Sequence, residues 1–165
     1  MTHDDRLLTE LVEVLDEELD RIATLRFRLV VLGSLMAADQ TPWLERSICD
    51  LEQASEQLRL VELRRAATTL GISDELELDP DARLGDIAAR VDRVNQAWGD
   101  LLRERRLRLL EEMTGVAGLV DTTTAAAGRR TALVEEALSF LRGDGGTATY
   151  GRRRPGAAQL VEGSL

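Results

Sequence analysis

The sequence predicts an all-α protein: an elongated antiparallel helical bundle or hairpin with one long C-terminal helix and a flexible tail. Three observations predict this class. Leu, Ala, Arg and Glu dominate the 165 residues and aromatic residues make up only 3%, which is typical of long helices. Apolar residues recur at steps of three and four along most of the chain. No proline interrupts residues 81–154, so a long helix can form there.

The first predicted helix spans about Asp5 to Ala38. Its apolar residues alternate at steps of three and four, with one interruption at Glu18, where Leu19 can substitute. This spacing places them along one seam of a helix, the geometry of coiled-coil packing. The set consists of Leu8, Leu11, Leu15, Ile22, Leu25, Leu29, Leu32 and Met36.

The second predicted helix runs from Pro42 to Leu70. Thr41 is a suitable cap with proline at the first helical position, and Gly71 is a suitable stop. Its predicted inward face changes phase midway. The first half of that face is Leu44, Ile48, Leu51, Leu58 and Val61, and the second half is Leu60, Leu63, Ala67 and Leu70. Residues 71–80 then form an acidic connection.

The third predicted element is one long helix from about Leu84 to Leu141, preceded by Asp79 and Pro80. Its first core stripe is Leu84, Ile87, Val91, Val94, Trp98 and Leu101. The helix is predicted to be weak over 115–128, because glycine there costs about 1 kcal/mol against alanine. The apolar phase nevertheless continues through that stretch. A break near Thr122 is the alternative.

Part of this long helix is expected to lack a partner within the chain. A helix from Leu84 to Leu141 would be roughly 85 to 90 Å long, against roughly 50 Å for the first helix. The first two helices cannot both cover that length in a compact bundle. The second helix or a second copy of the chain could still cover the remaining apolar face, so the sequence leaves a homodimer open.

Residues 1–142 are therefore predicted to form one helical domain, and residues 143–165 a flexible tail. The tail begins with Gly-Asp-Gly-Gly and carries Tyr150 and three consecutive arginines, 152–154. It contains too few apolar residues to bury a core of its own. We expect Trp43 and Trp98 to anchor the packing and the single Cys49 to fill a gap beside Ile48.

Composition and motifs argue against catalysis and against several classes of partner. His3 is the sole histidine of the sequence, so neither a Ser-His-Asp triad nor a Glu-x-x-His metal site can be built. We expect no cofactor and no metal. The acidic residues of the first helix, Glu10, Glu13, Asp16, Glu17 and Asp20, are expected to form its solvated face. A net charge of −9 argues against nucleic-acid binding.

The chain is expected to be cytoplasmic. Its start, Met-Thr-His-Asp-Asp, has no apolar core and does not read as a signal peptide. No run of about 18 apolar residues is present, so we expect no stable membrane insertion.

Several short segments resemble the FlgN-like flagellar export chaperones. Asn95-Gln96 followed by Leu101-Leu102 is similar to the Asn-containing stretch of that family's last helix. Ala137-Leu138 with Leu141 is similar to the apolar end of the same helix, and Thr149-Tyr150-Gly151 is similar to the family's tail signature. The order of helices, connection and tail also resembles the family architecture over most of the chain.

This resemblance implies a cytoplasmic chaperone that binds hook-associated, or hook-filament junction, proteins through helix-helix contacts. The chaperone would deliver them to the flagellar type III export gate without a cofactor. The resemblance implies that Tyr150 docks at the export apparatus. The implied substrate-binding residues are Val116, Val120, Ala127, Val134, Leu138 and Leu141. The alternative is a self-assembling coiled-coil scaffold that associates through its first helix and has no role in export.

Overall fold

The computed structural model describes residues 3–141, and the side chains of residues 5–138. It contains four helices and, within this range, no strand, which confirms the predicted all-α class with a long C-terminal helix. The helices are α1 (His3–Ala37), α2 (Thr41–Glu75), α3 (Leu84–Asp92) and α4 (Gln96–Leu141). The predicted tail, 143–165, and its boundary lie outside the described residues.

Two compact units divide the chain, Met1–Ala126 and Ala127–Leu165. The first unit contains α1, α2, α3 and the larger part of α4. The described part of the second unit consists of the remaining residues of α4. A hydrophobic core is therefore built within the first unit.

Helices α1 and α2 form an antiparallel hairpin. Near the turn, Arg28 Nη1 lies 3.5 Å from Asp50 Oδ2, and farther from it Arg64 Nη1 lies 2.8 Å from Glu17 Oε2. Residue numbers thus rise along α1 while they fall along α2. Asp39 takes a positive φ of 55° in the connection, a conformation that aspartate tolerates better than most residues. The chain can therefore reverse within a very short turn.

Helix α4 lies parallel to α1 in the first unit. Arg105 Nε donates a hydrogen bond to Asp16 Oδ1 at 2.7 Å, and Arg26 Nη1 donates one to Glu112 Oε2 at 3.1 Å. Farther along the two helices, a Cβ atom built on Gly33 of α1 would lie 3.9 Å from Thr123 Oγ1 of α4. Helix α1 is therefore flanked by both α2 and α4.

The seam predicted for the first helix lies on α1 and supplies the centre of the core; we call it the α1 seam. Its residues are buried from Leu8 to Leu32, and Met36 at its end is half-buried. A first cluster joins all four helices through Leu8, Leu11, Leu15, Ile72, Ile87, Ala88, Val91 and Leu102. A second cluster joins α1, α2 and α4 through Ile22, Leu25, Leu29, Ala54, Leu58 and Val116. Between these clusters on α1 lies the buried Glu18.

The predicted boundary and inward face of α2 are partly wrong. The helix continues through Gly71 to Glu75, and the chain turns at Glu77, which has a φ of 55°. The residues that are buried are Ser47, Ala54, Leu58, Val61, Ile72 and Ser73. Five residues of the predicted face are exposed, namely Ile48, Leu60, Leu63, Ala67 and Leu70. The small side chains of Ser47 and Ala54 let α2 approach α1 closely, so the inward face does not follow the largest apolar residues.

The predicted single helix from Leu84 to Leu141 is wrong at its beginning. It is interrupted between α3 and α4, where Asn95 Oδ1 accepts hydrogen bonds from the N–H groups of Ala97 and Trp98 at 3.1 and 3.5 Å. This is the arrangement of a helix N-cap. Val94, expected in the core, lies in this connection and is exposed.

The stretch 115–128 is helical throughout, and the alternative break near Thr122 is therefore wrong. Thr122 Oγ1 donates a hydrogen bond to the carbonyl oxygen of Gly118 at 3.1 Å. A threonine side chain satisfied in this way can remain in a helix interior.

The two tryptophans differ in their surroundings. Trp98 is half-buried against the first cluster, which confirms its predicted anchoring role. Trp43 lies in the first turn of α2 with 61% of its surface exposed, so the same prediction is wrong there. Cys49 is also exposed, so the prediction that it fills a gap beside Ile48 is wrong.

Candidate protein-binding surface

Helix α4 turns one face to the core of the first unit. Leu102 and Val116 are buried, and Trp98, Leu109 and Leu119 pack against the two clusters. These positions follow one another at steps of three, four or seven, which is the repeat of a single helix face. This part of the apolar surface of α4 is therefore already covered by α1, α2 and α3.

A second set of apolar residues on α4 is left exposed within the first unit. Leu110, Met113 and Val120 lie three and seven positions apart, and each has at least 43% of its surface exposed. Ala117 and Thr124 continue the same row and are also exposed. Such spacing is that of a seam which receives another helix. No described residue of the first unit covers it.

The second unit is exposed along its described length from Thr131 to Leu138. Three large apolar side chains lie there, Leu133, Val134 and Leu138, with 66%, 53% and 42% of their surfaces exposed. Charged residues of both signs accompany them, with Arg129 before them and Glu135 and Glu136 among them, all exposed. This segment is thus an amphipathic helix whose apolar side is open to a partner.

The six predicted substrate-binding residues, Val116 to Leu141, all belong to α4, and we call them the α4 stripe. They do not share one environment. Val120 is exposed in the first unit, and Ala127, Val134 and Leu138 are exposed in the second. Val116 is buried in the second cluster and cannot touch a partner unless the bundle opens. The side chain of Leu141, the last residue of α4, and the whole of Tyr150 lie outside the described residues.

A further exposed apolar face lies on α2, and the sequence interpretation assigned it to the core. We call it the α2 leucine face, formed by Leu60, Leu63, Ala67 and Leu70. The buried positions of α2 lie on the opposite side of the helix, so α2 is apolar on two faces. The visible signal was the change of phase at Leu60, which marks a second stripe and not a continuation of the first.

The described residues offer exposed apolar rows that are suited to protein contacts. Among the described residues, no group of three or more His, Cys, Asp or Glu side chains is placed to hold a metal ion. A cavity of about 10 Å³ between α1 and α2, lined by Leu7, Leu8, Ile72, Glu75 and Leu76, is about the size that one water needs. The exposed apolar rows of α4 and α2, by contrast, match the repeat of an incoming helix.

None of the helices, within the described range, combines the length and apolar character needed to cross a bilayer.

No protein-family model matches the chain, and neither a curated protein nor a solved structure was found to match it. The resemblance to FlgN-like chaperones therefore depends on the short segments of sequence given above.

Proposed function

We propose that this chain is a cytoplasmic export chaperone that binds an amphipathic helix of a hook-associated flagellar protein and presents that protein to the type III export gate. The observation that carries the proposal is the exposed part of the α4 stripe: Val120 in the first unit, and Ala127, Val134 and Leu138 in the second. The flagellar identity of the partner comes from the sequence resemblance.

The chemistry of this surface favours a helical partner. Apolar residues at steps of three and four accept the i, i+3, i+4 and i+7 side chains of a helix laid along them. Each unit carries small residues among these apolar positions, Ala117 and Thr124 in the first and Ala127 and Thr131 in the second, so a partner backbone can approach closely. Neighbouring charges of both signs allow salt bridges at the rim but give no strong net field.

The alternative scaffold function lacks a free surface on α1. Its association was expected to use the α1 seam, and the seam from Leu8 to Leu32 is buried within the chain's own core. Scaffold formation through α1 would therefore require the hairpin to open. The exposed rows of α4 and α2 are available without that cost.

Leu138→Asp tests the proposal directly. We expect it to weaken binding of the purified chaperone to a hook-associated protein by about 100-fold or more, because it would bury an unpaired charge in the interface. Leu107→Asp is the matched control, since Leu107 is equally apolar, lies on α4, and is exposed on a different side of the helix. Titration calorimetry with both variants measures the effect. Equal losses for the two variants would show that the α4 stripe is not the binding surface.

Tyr150→Ala separates holding from delivery. We expect this variant to bind the hook-associated protein as the unmodified chain does and to reduce its export from cells. An aromatic side chain can insert into a docking pocket at modest entropic cost, which fits contact with the gate. If Tyr150→Ala abolished binding of the hook-associated protein as fully as Leu138→Asp, this division of roles would be wrong. If neither variant affected any flagellar protein, the chaperone function would be wrong and the self-assembling scaffold would replace it.

A further inference from the structure

Both helices of the hairpin have a regular inward seam that is interrupted by one charged residue. In α1 the seam repeats at steps of three and four, and Glu18 occupies the position between Leu15 and Ile22. In α2 the inward positions also repeat at steps of three and four, and Arg65 occupies the position between Val61 and Thr68. The inward positions of α2 are Leu44, Ser47, Leu51, Ala54, Leu58, Val61, Arg65, Thr68 and Ile72.

These two charged residues meet across the hairpin. Arg65 Nε lies 2.8 Å from Glu18 Oε2. The Glu18 side chain is only 6% exposed, and the Arg65 side chain is 35% exposed. Neither atom makes a hydrogen bond, so the contact is an ion pair without the alignment of a full hydrogen bond. The pair lies between the two hydrophobic clusters, at the level where the apolar core is interrupted.

The burial of this pair is costly. Removing Glu18 from water raises the pKa of its carboxyl, an effect that outweighs the opposing influence of Arg65. Glu62 on α2 adds to the rise. A buried ion pair is commonly no more stabilising than apolar residues of similar volume in its place. Added stability therefore does not explain the pair well. Its effect on which helices associate explains it better.

The competing association is between two copies of α1. Without Glu18 the α1 seam would be an uninterrupted apolar heptad row, which is the requirement for self-association as a coiled coil. If two such seams paired, Glu18 would face either the Glu18 of the other copy or an apolar residue. Both arrangements leave a buried carboxylate without a cation. On α2, in contrast, Arg65 is present at the matching level.

We propose that Glu18 and Arg65 are partner-selecting residues, which direct α1 onto α2 of its own chain and disfavour α1-to-α1 association between copies. A charged residue in a core that opposes wrong partners in this way is a form of specificity by repulsion. The inference concerns the assembly of the bundle and holds whether or not the chain is an export chaperone.

Full-length variants test this selection. Glu18→Leu with Arg65→Leu makes both seams apolar, and Glu18→Arg with Arg65→Glu restores the pair with its charges exchanged. Glu13→Leu is the matched control, because Glu13 is exposed on the same helix. The readouts are the oligomer distribution, from light scattering after gel filtration at several concentrations, and the thermal midpoint from circular dichroism.

We expect the double-leucine variant to remain helical, with a thermal midpoint equal to or above that of the unmodified chain, and to shift severalfold toward larger oligomers. The charge-exchanged variant and Glu13→Leu should keep the original distribution. A cysteine at the exposed Ala23, in a Cys49→Ser background, should cross-link between copies of the double-leucine variant alone. A double-leucine variant that kept the original distribution would overturn the inference. A charge-exchanged variant that associated as strongly as the double-leucine variant would also overturn it.

Discussion

Leu15→Ala is expected to lower the free energy of unfolding by about 2 to 5 kcal/mol, the range for a buried leucine reduced to alanine. Leu15 is fully buried in the first cluster, where residues of all four helices meet. The lost methyl groups would leave a cavity, because a core closed by four helices can collapse only partly. Equilibrium denaturation in urea, monitored by circular dichroism, measures the loss.

The matched control for Leu15→Ala is Leu63→Ala on the α2 leucine face. Leu63 is exposed, so its truncation should change the free energy of unfolding by less than about 0.5 kcal/mol. Comparable losses for both variants would mean that the α2 leucine face is covered in solution. A loss near zero for Leu15→Ala would mean that the α1 seam does not form the core.

Gly99→Ala is expected to destabilise the corner between α3 and α4. A Cβ atom at residue 99 would lie 2.6 Å from Cβ and 2.8 Å from Cα of Asp92. Both distances are too short for carbon atoms, and one involves the backbone, so the corner must open. Overpacking of this kind typically costs about 1 to 3 kcal/mol.

Gly118→Ala provides a control of opposite sign. Residue 118 also lies within α4, and an added Cβ there meets nothing within 4 Å. Alanine in place of glycine in a helix interior should raise the free energy of unfolding by about 1 kcal/mol. Thermal denaturation of both variants checks the contrast. Shifts of the same sign would show that the close contact between Gly99 and Asp92 does not constrain the fold.

The sequence predicted those parts of the fold in which apolar residues are large and regularly spaced. The α1 seam is such a case, because leucines and isoleucines fill nearly every inward position. The inward face of α2 was partly mistaken, because Ser47 and Ala54 face α1 while larger residues such as Ile48 face solvent. Close helix packing selects small residues at a contact, and a count of large apolar side chains does not detect them.

The interruption between α3 and α4 was missed for a similar reason. The apolar phase continues from Val91 to Val94 and Trp98, so the periodicity indicated an unbroken helix. The local signal was Asn95, a residue well suited to cap the following helix. The prediction of a continuous helix through 115–128 is confirmed. There the regular apolar spacing was the better guide, and it outweighed the low helix propensity of glycine and threonine.

The candidate surface was predicted with one systematic error. Val116 was placed on the exposed row, but it belongs to the inward face, which continues through Leu119 in place of Val120. Successive residues of a helix are about 100° apart, so Leu119 and Val120 lie on neighbouring rows. They follow Val116 by three and four positions, and both spacings fit a continuous helix face. The Glu18 and Arg65 pair could not be found in either helix alone, because the need for a partner becomes visible only when α1 and α2 are placed together.

Site-specific photo-cross-linking in cells tests the central claim, that the exposed apolar row of α4 receives a helix of an exported flagellar protein. A photoreactive phenylalanine analogue would be placed at Val134 and, as the control, at Leu107, both exposed on α4. Mass spectrometry of the adducts identifies the partner. We expect position 134, and not position 107, to cross-link to a hook-associated protein. An adduct at position 134 that contained only a second copy of the chain, or no flagellar protein at all, would contradict it.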